Sequence, residues 1–181
     1  MIGETLEQVA LALNDYLQAR FSQVGELAIL SNITKPDGTP VIENMDTVAL
    51  TLIHIQEERA LQRATKFETG TAPVYINLYV LFSAHYTETG SYRQALDHLT
   101  GVIGFFQSNP VLTKQNVPTL PTRVEKLVPE FVNQEMQNAH FVWSMLGAKH
   151  APSVMYKIRM IVVDDEQGFS PSLFTGLSSN P

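Results

Sequence analysis

The 181-residue chain contains no cysteine. Disulfide scaffolds, cysteine-ligated zinc and thiol catalysis are therefore excluded. No apolar run approaches the ~18 residues of a membrane-spanning helix. Met1-Ile2-Gly3-Glu4 leads straight into an amphipathic segment, without the charged and then apolar pattern of a secretory leader. Basic residues are scarce: 12 Lys and Arg stand against 18 Asp and Glu, a net charge of −6. A general nucleic-acid binder needs a basic surface to displace counterions from phosphate, so no nucleic-acid partner is expected. Charged residues of both signs make up only 17%, against about 25% in an average domain. Thr, Ser, Asn and Gln fill the deficit with 46 residues. Interface cores are depleted in charge, so a large low-charge surface points toward self-assembly.

Catalytic motifs are missing as well. His54, His85, His98, His140 and His150 form neither HExxH nor an HxH pair, so no metal site is expected. His54 and His85 fall at strand ends and read as core or edge histidines. Asp97-His98 is expected on the polar face of a helix, in solvent. His140 and Ser144 lie one helical turn apart, but no carboxylate or nucleophile elbow supports them as base and nucleophile. No glycine pattern matches the phosphate-cradling loops, so no cofactor is expected. Glu57 and Glu58 are adjacent and point to opposite faces of a strand, which is wrong for two acids sharing one substrate. They read as a solvated strand end or as a charged rim meeting another subunit. Lys157 and Arg159 read as an exposed strand face or a salt bridge. The chain is not expected to be an enzyme.

What is present is an alternation of helical and strand patterns. Leu6, Val9, Ala10, Leu13, Leu17 and Phe21 share one helix face over Glu4 to Arg20, with Thr5 and Gln8 as a possible capping box. Leu27 to Leu30 reads as a short strand, and Pro36-Asp37-Gly38 as a turn. Val48 to Ile55 is a strand with Val48, Leu50, Leu52 and His54 on one face. Gln56 to Lys66 is expected to leave the sheet as a loop or a charged edge. Val74 to His85 is apolar on both faces, which suits a central strand. Ser91 and Gln94 can form a capping box for a helix with the stripe Tyr92, Ala95, Leu96, Leu99, Val102, Ile103 and Phe106. Gly101 and Gly104 each cost about 1 kcal/mol against Ala inside a helix. They therefore imply close packing on a sheet or a neighbouring subunit. Asn109-Pro110 ends that helix.

Pro118, Pro121 and Pro129 punctuate the next stretch, where a functional or packed loop precedes a strand within Val124 to Val132. Asn133 is expected to cap a third helix carrying Met136, Ala139, Trp143 and Leu146, stopped by Gly147. Ser153 to Val163 is the last strand. The expected fold class is α/β: a mixed β-sheet of four to five strands with three helices packed on it, in the order α-β-β-β-α-β-α-β. Residues 1–163 form the domain. Residues 164–181 form an acidic, Ser-, Gly- and Pro-containing arm with no basic residue. The arm is either a frayed tail or a segment that orders against a neighbour through Phe169, Leu173, Phe174 and Leu177.

Three stretches carry a family resemblance: TVALTLIHIQEERALQR from Thr47, PVYINLYVLFSAHYTETGSYRQALDHLTGVIGFFQSNPVL from Pro73, and MQNAHFVWSMLGAKHAPSVMYKIRMI from Met136. Their order resembles the cap, or tail-terminator, proteins of extracellular contractile injection systems, the phage-tail-like particles of the antifeeding-prophage type. The resemblance covers about residues 4 to 163 and implies a phage tail-terminator fold. It implies a six-fold ring that stops polymerisation at the baseplate-distal end and joins inner tube to sheath; the alternative readings are a connector or baseplate-associated component of the same particle and, less favoured, a small soluble adaptor or enzyme. Inner tube and sheath proteins are then the partners, and assembly takes place in the cytoplasm within a retained or released particle. The implied contacts are Glu57, Glu58, Arg59 and the arm residues Phe169, Leu173, Phe174 and Leu177. No catalytic position is implied.

Overall fold

Two long apolar strands set the centre of the molecule. A computed structural model describes residues 1–43, 45–58, 74–87, 91–133 and 135–162. Its elements are α1 (Ile2–Phe21), β1 (Ala28–Leu30), β2 (Thr47–Glu57), β3 (Val74–His85), α2 (Tyr92–Ser108), β4 (Val124–Phe131), α3 (Met136–Leu146) and β5 (Ser153–Val162). The sheet order is β1-β2-β3-β5-β4. β1 runs parallel to β2 and the other neighbours are antiparallel, so the sheet is mixed. This matches the expected fold class and element order.

The central strand is covered on both faces, as its apolar composition requires. On one face Leu78, Val80 and Phe82 of β3 pack with Leu50, Ile158 and Met160 beneath α1 and α2. α1 contributes Leu6, Val9, Leu13 and Leu17, and α2 contributes Val102, Phe105 and Phe106, all nearly or fully buried. Each such side chain stabilises the fold by about 1.5–3 kcal/mol through removal from water. Aromatic rings lock this layer: Tyr156 stands 4.4 Å from Phe106 and 5.7 Å from Phe82. Gly101 faces Leu17 and Phe21 of α1, and Gly104 faces Tyr16. The two glycines thus serve close helix–helix packing within the chain, which corrects the expected packing on a sheet or a neighbouring subunit.

The other face carries a smaller apolar cluster of Ile33, Leu81, Trp143 and Met155. Trp143 is the residue through which α3 grips the sheet. Thr34 ties the preceding loop to the end of α3 by donating its hydroxyl to the Leu146 carbonyl at 2.7 Å. Gly147 adopts φ 62°, the left-handed conformation that ends the helix.

Several local expectations are corrected. Gln56 and Glu57 do not leave the sheet; they extend β2 and pair with Asn77 and Ile76. A bulge at Ile53 shifts the register, so His54 lies opposite Tyr79 and no longer shares the face of Leu52. The Thr5–Gln8 box is absent: α1 starts at Ile2, and buried Thr5 donates its hydroxyl to the Met1 carbonyl at 2.8 Å. Ser91 makes no side-chain cap bond to α2. Its hydroxyl engages Asp46, which also accepts the Thr87 amide and hydroxyl at 2.6 and 3.0 Å. Glu135, not Asn133, precedes α3 as its N-cap. His98 is not in solvent. It is 2% exposed, while Leu96 and Tyr92 of the expected stripe are 40% and 45% exposed.

The proline-punctuated stretch packs down. Leu112, Val117 and Leu120 are buried, and Asn116 pins the loop by accepting the Thr113 amide and donating to the Val111 carbonyl. Pro129 sits in β4, an edge strand, where a missing N–H costs no ladder bond.

Candidate functional site

The outer face of the sheet gathers charges distant in sequence. Arg159 on β5 donates its Nε–H to Glu58 Oε2 at 2.8 Å. Its Nη2 lies 3.3 Å from Glu130 Oε1, and Lys157 Nζ lies 2.5 Å from Glu130 Oε2. Strand geometry places these groups: Glu130 and Lys157 are register partners, and the Glu58 amide donates to Tyr75 just past the end of β2. The hydrogen bond from Lys157 holds the Glu130 carboxyl below its usual range. Burial opposes this, and the charges of Lys157 and Arg159 reinforce it. Two acids and two bases therefore neutralise one another. Asn77, opposite Arg159 on β3, is 6% exposed, and its Oδ1 has no hydrogen-bond partner among the described residues.

A second surface is nearly free of charge. A cleft of about 530 Å³ lies between α2, the end of β4, α3 and the start of β5, lined by Leu96, Leu99, Phe131, Trp143, His150 and Val154 among others. Among the described residues no Asp, Glu, Lys or Arg lines it. Tyr86 and Tyr92, with ring centroids 5.3 Å apart, and the 48% exposed Phe131 add apolar surface. Phe141 and Met145, four residues apart on α3, are 68% and 64% exposed. Apolar patches of low charge mark protein–protein contact surfaces. The sequence analysis placed Tyr92, Leu96, Leu99 and Trp143 on apolar helix faces but missed this contact surface, although the i, i+4 spacing of Phe141 and Met145 already marks a second apolar stripe on α3.

Of the sequence-level contact candidates, Glu57 ends β2 and is exposed, while Glu58 is held by Arg159 within the chain. The two point to opposite faces. Arg59, Phe169, Leu173, Phe174 and Leu177 lie outside the described residues.

The groups with chemical potential are arranged for structure. Ser83 Oγ lies 3.0 Å from His85 Nε2, but Ser83 is fully buried and out of a substrate's reach. His140 and Ser144 are exposed without a bond between them among the described residues. His54 stacks loosely on Tyr79 at 5.9 Å. His98 Nε2 meets Gln23 Oε1 at 3.1 Å, and burial lowers its pKa while Asp46 and Asp97 oppose the shift. Among the described residues no group of three His, Asp or Glu could hold a metal ion. Among them, too, no helix is long and apolar enough to cross a membrane.

Solved structures share the fold. A chain of an extracellular contractile injection system, described as the PVC sheath/tube terminator in the extended state, superposes with a TM-score of 0.55 at 16% identity. The match covers 94% of this chain and 62% of that chain. The anti-feeding prophage cap, described as the AFP tube terminating cap, gives a TM-score of 0.57 at 15% identity, covering 96% of this chain and 60% of that one. The chain thus spans about three fifths of the solved chains it matches. No curated protein matches it. Residues 7–174 match the family described as Pvc16 N-terminal domain, nearly the whole length. The chain belongs to the Pvc16 N-terminal domain family.

Proposed function

We propose that this chain is a structural assembly protein that caps the baseplate-distal end of a contractile injection particle, terminating its inner tube and sheath and joining them. The observation that carries this reading is the family match over residues 7–174, together with the same fold in a sheath/tube terminator and a tube terminating cap. The molecule's surfaces support it. A terminator must fit the last layer of a growing cylinder and offer the next subunit no repeating site. β1 has only three residues, and the amides of its first residue Ala28 and of the preceding Leu27 are taken by Asn14 Oδ1. The β4 edge is blunted by Pro129 and by a bridge between Leu127 and Leu112. Such edges resist strand-by-strand propagation.

In this reading the partners are the tube and sheath proteins, and six copies close a ring. A ring closes when each subunit presents two different complementary faces. The charge-poor cleft beside α2 and α3 supplies one of them. Assembly takes place in the cytoplasm, and the chain performs no catalysis. Immunogold labelling of purified particles tests the placement. Gold at the end opposite the baseplate is the expected result, and gold at the baseplate contradicts it.

A further inference from the structure

Val24 is 97% exposed, the most exposed large apolar side chain among the described residues. It stands on an uncharged tip, Ser22-Gln23-Val24-Gly25, and the nearest charges in sequence are Arg20 and Glu26. The tip is braced on both sides of the valine. Ser22 closes α1 in the left-handed conformation at φ 52°, its amide donating to the Gln18 carbonyl. The Gln23 amide donates to the same carbonyl at 3.2 Å, and its side-chain Oε1 lies 3.1 Å from His98 Nε2. Gln18 Nε2 in turn donates to the Gly25 carbonyl at 2.6 Å. A side chain presented on so fixed a loop loses little further freedom when a partner covers it.

The charge-poor cleft offers a matching recess on the other flank of α2. His98 and Gly101, three residues apart, meet the Gln23 side chain and α1. Leu96 and Leu99, also three apart, line the cleft. The two pairs are two residues out of step, about 200° around a helix, so tip and cleft lie on opposite flanks of α2. The cleft also carries open backbone. Leu127 turns its N–H and C=O away from β5 to bond with Leu112, and Phe131, four positions on in β4, faces the same way. Among the described residues the N–H and C=O of Phe131 and of Val24 have no partners. We propose that the Val24 tip of one copy seats in the cleft of the next, the valine against Leu96, Leu99 and Trp143 and its backbone paired with Phe131. Neither the tip nor the described lining of the cleft carries an acidic or basic charge, so the contact buries no unpaired ion. Each copy offers the tip on one side and the cleft on the other, the head-to-tail arrangement that closes a ring. The contact rests on the ring proposed above and names the parts that make it.

The exposure of Val24 makes the test clean, because a substitution there removes no packing within the chain and leaves its Tm unchanged. The full chain is supplied to cells that assemble particles without a copy of their own, and the amount retained per purified particle is measured. Val24→Asp is expected to lower retention about tenfold or more, because it buries a charge without a partner. Leu96→Lys is expected to do the same from the cleft side. With both substitutions in one chain the opposite charges meet, and retention returns to within about threefold of the unsubstituted chain. Full retention of folded Val24→Asp overturns the contact, as does a loss that Leu96→Lys leaves uncorrected. Either result leaves the capping role standing, provided the unsubstituted chain is found at the baseplate-distal end. Absence of the unsubstituted chain from particles removes the ring reading, and this contact with it.

Discussion

A Cβ placed on Gly101 would lie 2.5 Å from Cδ2 of Leu17, well inside contact distance. Alanine at this position gains about 1 kcal/mol of helix propensity. Overpacking costs about 1–3 kcal/mol, and Leu17 is fully buried with little room to move. Gly101→Ala is therefore expected to destabilise the domain by about 1 kcal/mol net. Gly104→Ala meets only the Tyr16 hydroxyl, at 3.0 Å on a partly buried ring, and costs less. Urea unfolding of both variants checks the order; a stabilised Gly101→Ala would contradict the α1–α2 contact.

Trp143 is the anchor of α3 and the chain's single tryptophan. Trp143→Ala is expected to cost about 3–5 kcal/mol, the range for emptying a buried aromatic site. Amide exchange should quicken first in α3, because α1 and α2 pack on the opposite face. In the unmodified protein, tryptophan emission should be blue-shifted and should move to the red as α3 releases. Uniform exchange across all three helices would contradict a separate α3 cluster.

Acid should weaken the fold in two windows. Burial lowers His98 and His85 below 6.5, with Asp46 and Asp97 partly opposing at His98. The unfolded chain then takes up protons first as pH falls. The histidine contribution is complete above about pH 6.5 and is lost as pH falls from there through the lowered folded values. Glu130 is lowered first by the Lys157 hydrogen bond. At Asp46 burial pushes the carboxyl up, but the hydrogen bonds from Thr87 and Ser91 outweigh it. Their contributions disappear only at lower pH, below the ordinary 4.5 and 3.8. Thermal melts between pH 7.5 and 5.5 should show a falling Tm with a shallower slope in His98→Leu, whose remaining slope belongs to His85. An unchanged slope would remove His98 from the account.

Leu96→Glu places a charge at the mouth of the charge-poor cleft on a residue already 40% exposed. The domain should stay folded, with a change within about 0.5 kcal/mol. Capping of particles should fall, because a charge buried at an interface without a partner is costly. Normal capping by this folded variant would exclude the cleft from the ring contact.

Much of the architecture was legible because periodicity reports burial. β3, apolar on both faces, could only be central, and Gly101 with Gly104 implied close packing, although the partner is α1 and not a sheet or another subunit. Other features depend on long-range contacts that no local pattern carries. His98 is buried because Phe21 and Gln23, some 75 residues away, fold over it. The bulge at Ile53 is invisible where Leu52, Ile53 and Ile55 are all apolar. Ser91 looked like a helix cap until Asp46 arrived from the loop before β2. The ion-pair network joins Glu58 to Arg159, 101 positions apart. The contacts implied for Arg59 and the arm lie outside the described residues.

The most direct test of the capping role is the length and end structure of particles assembled without this chain, imaged by cryo-electron microscopy. Overlong tubes or particles with loose, unsealed ends are expected, with normal particles restored by supplying the protein. Particles of ordinary length with intact baseplate-distal ends in its absence would contradict the account.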